Sequence, residues 1–443
     1  MALSGLDIYK LLPKTNCREC GFPTCLAFAM QLAKKAVELT KCPHLTEEVK
    51  KSLEESSLPP IKQVTIGAGD EQLLLGCETV LFRHEEKFYN PCGIGFILDD
   101  NLADDQLKEK LSHIQQLRFE RVGQEIKVNL IAIKQTKDKK RFTQVVQNVA
   151  AQSKLPICLM SDDPEALKES LGILKDKKPL IYGARSENAK SFAALAKEFN
   201  APLAVLEPDL EKLAGLTKEL SSQGANDLIL DTGDKGITDK IWDLTQIRRL
   251  ALKKSLRSLG YPALVILDES DPYTEAIKAA TYISKYAGII LMRGIESWQT
   301  LALLTLRQNI YTDPQKPLQI EPKLYPVGQV SNTSPVLITT NFSLTYYTVL
   351  GEVEASKVPS YIVSVDTEGM SVLTAWAAEK LTAEKITESL KKFAVPDAVS
   401  HKRMVIPGYV AVISGDLEDH SGWQVVVGPK EASGIPQFLK NLS

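Results

Sequence analysis

Four cysteines fall in the first tenth of the chain, within the run Asn16-Cys17-Arg18-Glu19-Cys20-Gly21-Phe22-Pro23-Thr24-Cys25 and at Cys42-Pro43 beyond it. Their spacing is C-x2-C-x4-C-x16-C. Thiolates are soft ligands, and four of them complete either an iron–sulfur or a zinc site. Zinc ribbons usually present two short C-x2-C knuckles, one on each side of the metal. Here there is one such pair, then a third cysteine after four residues and a distant fourth before a proline. Three ligands on one tight loop fit a cubane [4Fe–4S] cluster best, with zinc and plain structural thiols as the alternatives. The other three cysteines, Cys77, Cys92 and Cys158, are scattered. Cys158 sits in an apolar run read as a buried strand, where cysteine packs as a small hydrophobe. Cys77 and Cys92 are not read as a second metal site. A disulfide framework belongs to small secreted domains rather than to a chain with ample core.

The ligands need elements to hold them. Thr24 is placed to cap a helix starting at Cys25, with Leu26, Ala29, Met30 and Ala33 as its expected buried stripe. A helix running unbroken from there to Cys42 would separate the two thiols by roughly 25 Å at 1.5 Å per residue. A single cluster is far smaller, so the chain must turn back before Cys42, near residues 34–36.

Beyond the cysteines, 443 residues at roughly 150 per domain imply about three domains. The expected boundaries are 1–57 for the cluster domain, 58–325 for a central domain and 326–443 for a third. Leu58-Pro59-Pro60 and the Pro/Gly-bearing stretch 319–330 read as the linkers. The central part alternates short β-rich runs with longer periodic segments. Strands are expected at Thr79–Phe82, Lys127–Ile133, Pro156–Met160, Leu180–Tyr182, Leu203–Leu206, Leu228–Leu230, Leu264–Leu267 and Ile289–Met292. About eight βα units over roughly 250 residues fit a (β/α)8, TIM-like barrel, with an open doubly wound sheet as the alternative. The segment 67–99, with Gly93 and Gly95, is read as an added hairpin. The fold class is therefore α/β, ending in a smaller Rossmann-like domain. Its strands are expected at Val336–Thr340, Tyr361–Val365, Val410–Ile413 and Gln424–Val427, and around Met404–Ile406.

Small and hydroxylated residues gather at the strand ends of that last domain, where open α/β sheets bind ligands. Thr339, Thr340 and Thr345 surround the end of one strand. Gly369, Met370, Ser371, Val372 and Leu373 close the loop after the next, and Gly415, Ala432 and Ser433 follow later ones. A loop leading into a helix offers backbone N–H groups to a phosphate or amide. Asp366 and Glu368 oppose a phosphate beside them, which favours the Gly369 end. The competing reading is of routine turns, which use Gly, Ser and Thr anyway. At the barrel's strand ends, Asp231-Thr232-Gly233, Asp268 and Arg293-Gly294 stand where barrel sites are built; no catalytic acid or base is assigned. Trp298, Trp376 and Trp423 are read as core.

Fifty-three Lys and Arg against 55 Asp and Glu leave no electrostatic footprint for nucleic acid or anionic membrane. No apolar run reaches the roughly 20 residues of a membrane span. Met1–Pro13 has no signal-peptide pattern, so a cytoplasmic location is the expectation.

The motif Cys17-x2-Cys20-Gly21-x3-Cys25-x2-Phe28-Ala29, with Cys42-Pro43-x-Leu45, resembles the large (gamma) subunits of corrinoid iron–sulfur proteins, methyl carriers of the anaerobic acetyl-CoA (Wood–Ljungdahl) pathway. The resemblance extends over the three-part order of cluster domain, barrel and corrinoid domain. It implies a [4Fe–4S] cluster on Cys17, Cys20, Cys25 and Cys42, and a base-off cobamide held by the loops of the C-terminal domain. In such proteins Co(I) accepts a methyl group from methyltetrahydrofolate through a separate methyltransferase. Methyl-Co(III) then delivers it to acetyl-CoA synthase, and the cluster returns adventitious Co(II) to the active state. The resemblance also implies a small (delta) barrel subunit as heterodimer partner and a reductive activator or low-potential electron donor. No D-x-H-x-x-G motif, which supplies a lower axial histidine in many cobalamin enzymes, occurs in the C-terminal region. Glu418-Asp419-His420-Ser421-Gly422 has the wrong spacing, and His401 has no acidic residue two positions before it. Two other readings stay open: a folate-dependent methyltransferase without corrinoid, and an electron-transfer module using the cluster alone.

Overall fold

The structure, a computed structural model, describes residues 5–33, 36–46, 49, 59–315 and 317–442. They divide into two compact units, Met1–Phe119 with Ile126–Tyr311, and Glu120–Glu125 with Thr312–Ser443.

In the first unit eight parallel strands close into a barrel. They are β1 (Gly93–Asp99), β2 (Leu130–Lys134), β3 (Ile157–Met160), β4 (Leu180–Ala184), β5 (Leu203–Leu206), β6 (Leu228–Asp231), β7 (Ala263–Ile266) and β8 (Ala287–Met292). Each pairs with its neighbour in sequence, and β8 closes on β1 with Ile289 opposite Gly93 and Leu291 opposite Gly95. This is the barrel rather than the open sheet. Four of the strand-to-helix loops end in an aspartate whose side chain accepts backbone N–H groups of the next helix: Asp138, Asp163, Asp209 and Asp271. Such caps satisfy donors a helix start leaves unpaired.

The barrel interior is apolar and plugged. An antiparallel hairpin, Val64–Ile66 with Leu73–Leu75, inserts Val64, Ile66, Leu73 and Leu75 among inward residues such as Ala132, Cys158, Ala204 and Ile229. The plug explains a correction. The expected first strand at Thr79–Phe82 does not form, and β1 lies instead at Gly93–Asp99. The two glycines read as turn residues are there for closeness. A Cβ on Gly93 would stand 2.6 Å from the Leu73 side chain, and one on Gly95 2.6 Å from that of Leu130. The expected hairpin exists, formed by 64–75 rather than by the glycine-bearing residues.

The segment displaced from strand duty, Glu78–Tyr89, straps the barrel wall. Arg248, buried, pairs with Glu78 at 2.9 Å, donates to the Val80 carbonyl at 2.6 Å, and stacks between Phe88 and Tyr286 at 4.6 Å from each ring.

The second unit is a five-stranded sheet flanked by helices on both faces. Its strands are β9 (Leu324–Val327), β10 (Val336–Thr340), β11 (Ser360–Val365), β12 (Arg403–Ile406) and β13 (Gln424–Val427), in the spatial order β9-β11-β10-β12-β13. All pairings are parallel except β9 with β11. Strand β9 falls within the stretch read as a linker; its Pro326 is tolerated because the strand is an edge. The expected strand at Val410–Ile413 is a 3-10 segment, Gly408–Ile413, with Tyr409 and Val412 exposed. A short apolar run does not by itself distinguish strand from turn, and here the buried strand is the preceding β12. Of the three tryptophans read as core, Trp423 is buried, whereas Trp298 and Trp376 are 44% and 42% exposed.

Removing one partner of a buried ion pair strands the other charge and costs about 3–5 kcal/mol. Arg248→Ala is therefore expected to lower the denaturant midpoint of the barrel substantially, and an unchanged midpoint would show that the strap is held by packing alone.

Candidate cofactor sites

The cysteine site is built on two short helices, Gly5–Leu11 and Cys25–Ala33, whose common core contains Ile8, Phe28, Ala29, Cys25 and Cys42. Thr24 caps the second helix, its Oγ1 accepting the Ala27 N–H at 3.1 Å. The buried face of that helix is Cys25, Phe28 and Ala29, whereas Leu26 and Met30 of the expected stripe are 36% and 42% exposed. The reason is the thiol. Once Cys25 points inward, the i+3 and i+4 positions follow it. The helix ends at Ala33, short of the thiol–thiol separation a longer helix would impose. The expected turn at 34–36 falls largely on residues 34 and 35, outside the described residues.

The connecting loop is shaped by left-handed residues at Lys14, Asn16, Arg18 and Gly21. Asn16 clamps the third ligand: its side-chain oxygen accepts the Cys25 N–H at 2.8 Å, and its own N–H donates to Cys25 Sγ at 3.4 Å. All seven cysteines carry free thiols. Burial raises the Cys42 thiol above its ordinary range, and neighbouring Cys20, Cys25 and Cys17 raise it further. Three sulfurs near enough to act on the fourth would repel it as thiolates, and a metal removes that repulsion. The donor set thus fits an iron–sulfur group. His44 Nε2 meets Glu19 Oε2 at 2.9 Å, and both lie close to the Cys17 sulfur. The sequence reading gave roles to none of Asn16, Glu19 and His44, although Asn16 and Glu19 stand inside the motif.

The second site lies at the carboxyl ends of β10, β12 and β13. Strand β10 is flanked by β11 on one side and β12 on the other, so the loops leaving β10 and β12 diverge and a crevice opens between them, as at any reversal of strand order. A cavity of about 240 Å³ occupies this place. Of the expected residues, Thr339, Thr345, Val372 and Ala432 line it. Gly369, Met370 and Ser371 form the loop leading to Val372, and Leu373 is exposed on the helix that follows. Thr340 is buried at the end of β10, Ser433 is exposed beside Ala432, and Gly415 is exposed on the helix Ser414–Ser421. None of these seven lines the cavity. Leu344 and Thr348, one turn apart on a single helix, and Tyr409 do line it and were missed; the 3.6-residue spacing of Leu344 and Thr348 is the signal that could have found them.

The polar atoms here are not spent. Thr339 Oγ1, Thr340 Oγ1 and Ser364 Oγ are buried with no hydrogen-bond partner among the described residues. Thr339 and Ser364 sit opposite each other in the β10–β11 ladder and so share one face of the sheet. Buried hydroxyls without partners cost stability, and that of Thr339, in the wall of an apolar cavity, fits a ligand that carries amide or phosphate oxygens. No histidine lines the cavity. His401 bonds the Ser334 carbonyl at 3.0 Å and His420 the Asp416 carbonyl at 2.7 Å.

The barrel mouth differs. Asp231 accepts the Tyr182 hydroxyl at 2.8 Å and pairs with buried Lys240 at 3.3 Å; Arg293 is held by Asp99 and by Asp268 at 2.7 Å. These strand-end residues pair with one another, and of their oxygens Asp99 Oδ1 is buried without a hydrogen-bond partner among the described residues. Asn129, read as lying within a strand, precedes β2 and accepts the Ile94 N–H at 3.1 Å.

Comparison with known proteins agrees with this geometry. A family model described as "CO dehydrogenase/acetyl-CoA synthase delta subunit" matches residues 63–439, and an Fe-S cluster model matches 12–44. The corrinoid/iron-sulfur protein large subunit of Moorella thermoacetica is 47% identical over 99% of this chain and 99% of its own. The acetyl-CoA decarbonylase/synthase complex subunit gamma of Methanothermobacter thermautotrophicus is 37% identical over 100% of both. That of Methanopyrus kandleri is 36% identical over 99% of this chain and 97% of its own. Both the cysteine segment and the C-terminal sheet fall inside these full-length matches, and the chain belongs to the family of corrinoid/iron-sulfur protein large subunits and acetyl-CoA decarbonylase/synthase gamma subunits.

Proposed function

We propose that this chain is a methyl carrier of the acetyl-CoA pathway, with a cobamide in the crevice between β10 and β12 and a [4Fe–4S] cluster on Cys17, Cys20, Cys25 and Cys42. The observation that carries the reading is the switch-point cavity itself, apolar, free of histidine and edged by the unpartnered hydroxyl of Thr339. When bound, the cobamide supplies a cobalt that takes and releases a methyl group, and the cluster supplies single electrons.

The chain's own residues do the rest. Leu344, Val349 and Phe438 give the cavity dry walls, which exclude water from a group held there. Thr339 has a hydroxyl to donate to an amide or phosphate oxygen. No residue lining the cavity is a histidine, so none of them would offer an imidazole to a cobalt held there. The Asn16 clamp and the buried Cys25 and Cys42 hold one edge of the cluster inside the small core, and Cys17 lies exposed at the other, where an electron donor has access.

The relatives' printed names, one a large subunit and others subunits of an acetyl-CoA decarbonylase/synthase complex, support a small barrel subunit as partner, with acetyl-CoA synthase as methyl acceptor. A family model described for a delta subunit and relatives described as gamma subunits fit a pair of subunits related to each other. The methyltetrahydrofolate methyltransferase and a low-potential donor complete the proposed set. We also propose a functional division into three parts, expected at 1–57, 58–325 and 326–443, with the second boundary moved ahead of β9, whose Leu324–Val327 pair in the C-terminal sheet.

Two variants separate the cofactors. Ala432→Trp, which fills the cavity, is expected to lower cobalt content by about tenfold or more while iron and acid-labile sulfide stay at about four each. Cys25→Ser is expected to do the reverse, losing iron and sulfide with cobalt retained. Anaerobic metal analysis of the purified chain with its small subunit reads both, and cobalt unaffected by Ala432→Trp would remove the cavity from the account.

A further inference from the structure

Asn341 follows β10 directly and is 1% exposed. Its side-chain oxygen accepts three hydrogen bonds, from Thr367 N at 2.9 Å, Gly369 N at 3.0 Å and Thr367 Oγ1 at 3.0 Å. Its amide nitrogen donates to Asp366 Oδ1 at 3.3 Å and to Gln319 Oε1 at 3.2 Å. One buried side chain thus ties the loop after β11 to the end of β10.

That loop has a shape it would not keep unaided. Glu368 and Gly369 are both left-handed, at φ 57° and 75°, and a bulky residue such as glutamate adopts that region only under constraint. At Gly369 an added Cβ would lie 2.6 Å from Gln319 Cγ, so the loop is also pressed against the residue Asn341 holds. The loop runs through Ser371 into Val372, which lines the cavity.

We propose that Asn341 is a positioning residue that sets residues 366–371 in the shape that brings Val372 to the cavity wall before the cofactor arrives, an inference that rests on the cavity being the cobamide site. The chemistry selects an amide. Asparagine accepts the loop's N–H groups through its oxygen and donates to the Asp366 carboxylate through its nitrogen. Aspartate keeps the acceptor but places a second carboxylate against Asp366. Alanine leaves the Thr367 and Gly369 N–H groups buried without a partner. A loop ordered in advance need not be ordered by the ligand, and binding is tighter for it.

The amide and the carboxylate can trade places, which gives the test its control. The full chain with its small subunit, freed of cobamide, is titrated anaerobically with cob(II)alamin and followed by visible absorption. Amide hydrogen exchange at 366–371 is read on the cobamide-free protein. Asn341→Ala and Asn341→Asp are expected to weaken binding by about tenfold or more and to speed exchange of the loop amides. The exchanged pair Asn341→Asp with Asp366→Asn is expected to restore both, which a general loss of fold would not allow. Asn341→Asp binding cob(II)alamin as tightly as wild type, or an exchanged pair no better than Asn341→Asp alone, overturns the positioning role. If Asn341→Ala fails to fold, the single and paired aspartate variants decide it. Wild-type protein that takes up no cob(II)alamin overturns the cofactor reading and this inference with it, whereas normal wild-type binding with insensitive variants overturns this inference alone.

Discussion

Two parallel strands can be joined only by a crossover, and right-handed crossovers place every strand's carboxyl end, and the loop that leaves it, on one side of the sheet. Both units of this chain are built under that constraint, and it decides where each can hold a ligand. In the barrel, closure in sequence order removes any reversal of winding, so all eight loops converge on one mouth. In the C-terminal sheet the order β9-β11-β10-β12-β13 contains one reversal beside β10, and the loops there part instead of meeting. The crevice is a result of topology before any side chain is considered.

The two mouths are then finished differently. In the barrel, Asp231, Tyr182 and Lys240 pair with one another, as do Asp99, Arg293 and Asp268, with Asp99 Oδ1 left over. In the sheet, the Thr339 hydroxyl is unmatched in the wall of an apolar cavity. The barrel mouth is thus crosslinked by charged pairs, whereas the sheet keeps an open apolar crevice. The cysteine site follows a third rule: its thiols are gathered by a loop of left-handed residues and an asparagine clamp, a donor set that fits an iron–sulfur group.

Much of this was legible in the residues. The four cysteines, seven of the eight barrel strands and the cavity residues Thr339 and Val372 follow from spacing, periodicity and turn chemistry. What was not legible has a common cause, since it depends on a partner distant in sequence. Gly93 and Gly95 read as turn residues because their close approach to Leu73 and Leu130 is tertiary. The buried stripe of the Cys25 helix shifted by one position because the thiol fixed its rotation. Strand β9 was hidden by Pro326, which only an edge position permits. Asn341 passed as one more polar residue at a strand end, because its five hydrogen bonds go to residues 22 to 28 positions away.

The most direct test of the account is to locate the cobalt. Anomalous scattering at the cobalt edge, from crystals of the cobamide-loaded chain with its small subunit, identifies the element and its place together. The account predicts one cobalt signal beside the crevice between β10 and β12, bordered by Thr339, Val372 and Tyr409, with iron signals confined to the four N-terminal cysteines. A cobalt signal over the barrel mouth, beside Asp231 and Arg293, would contradict it.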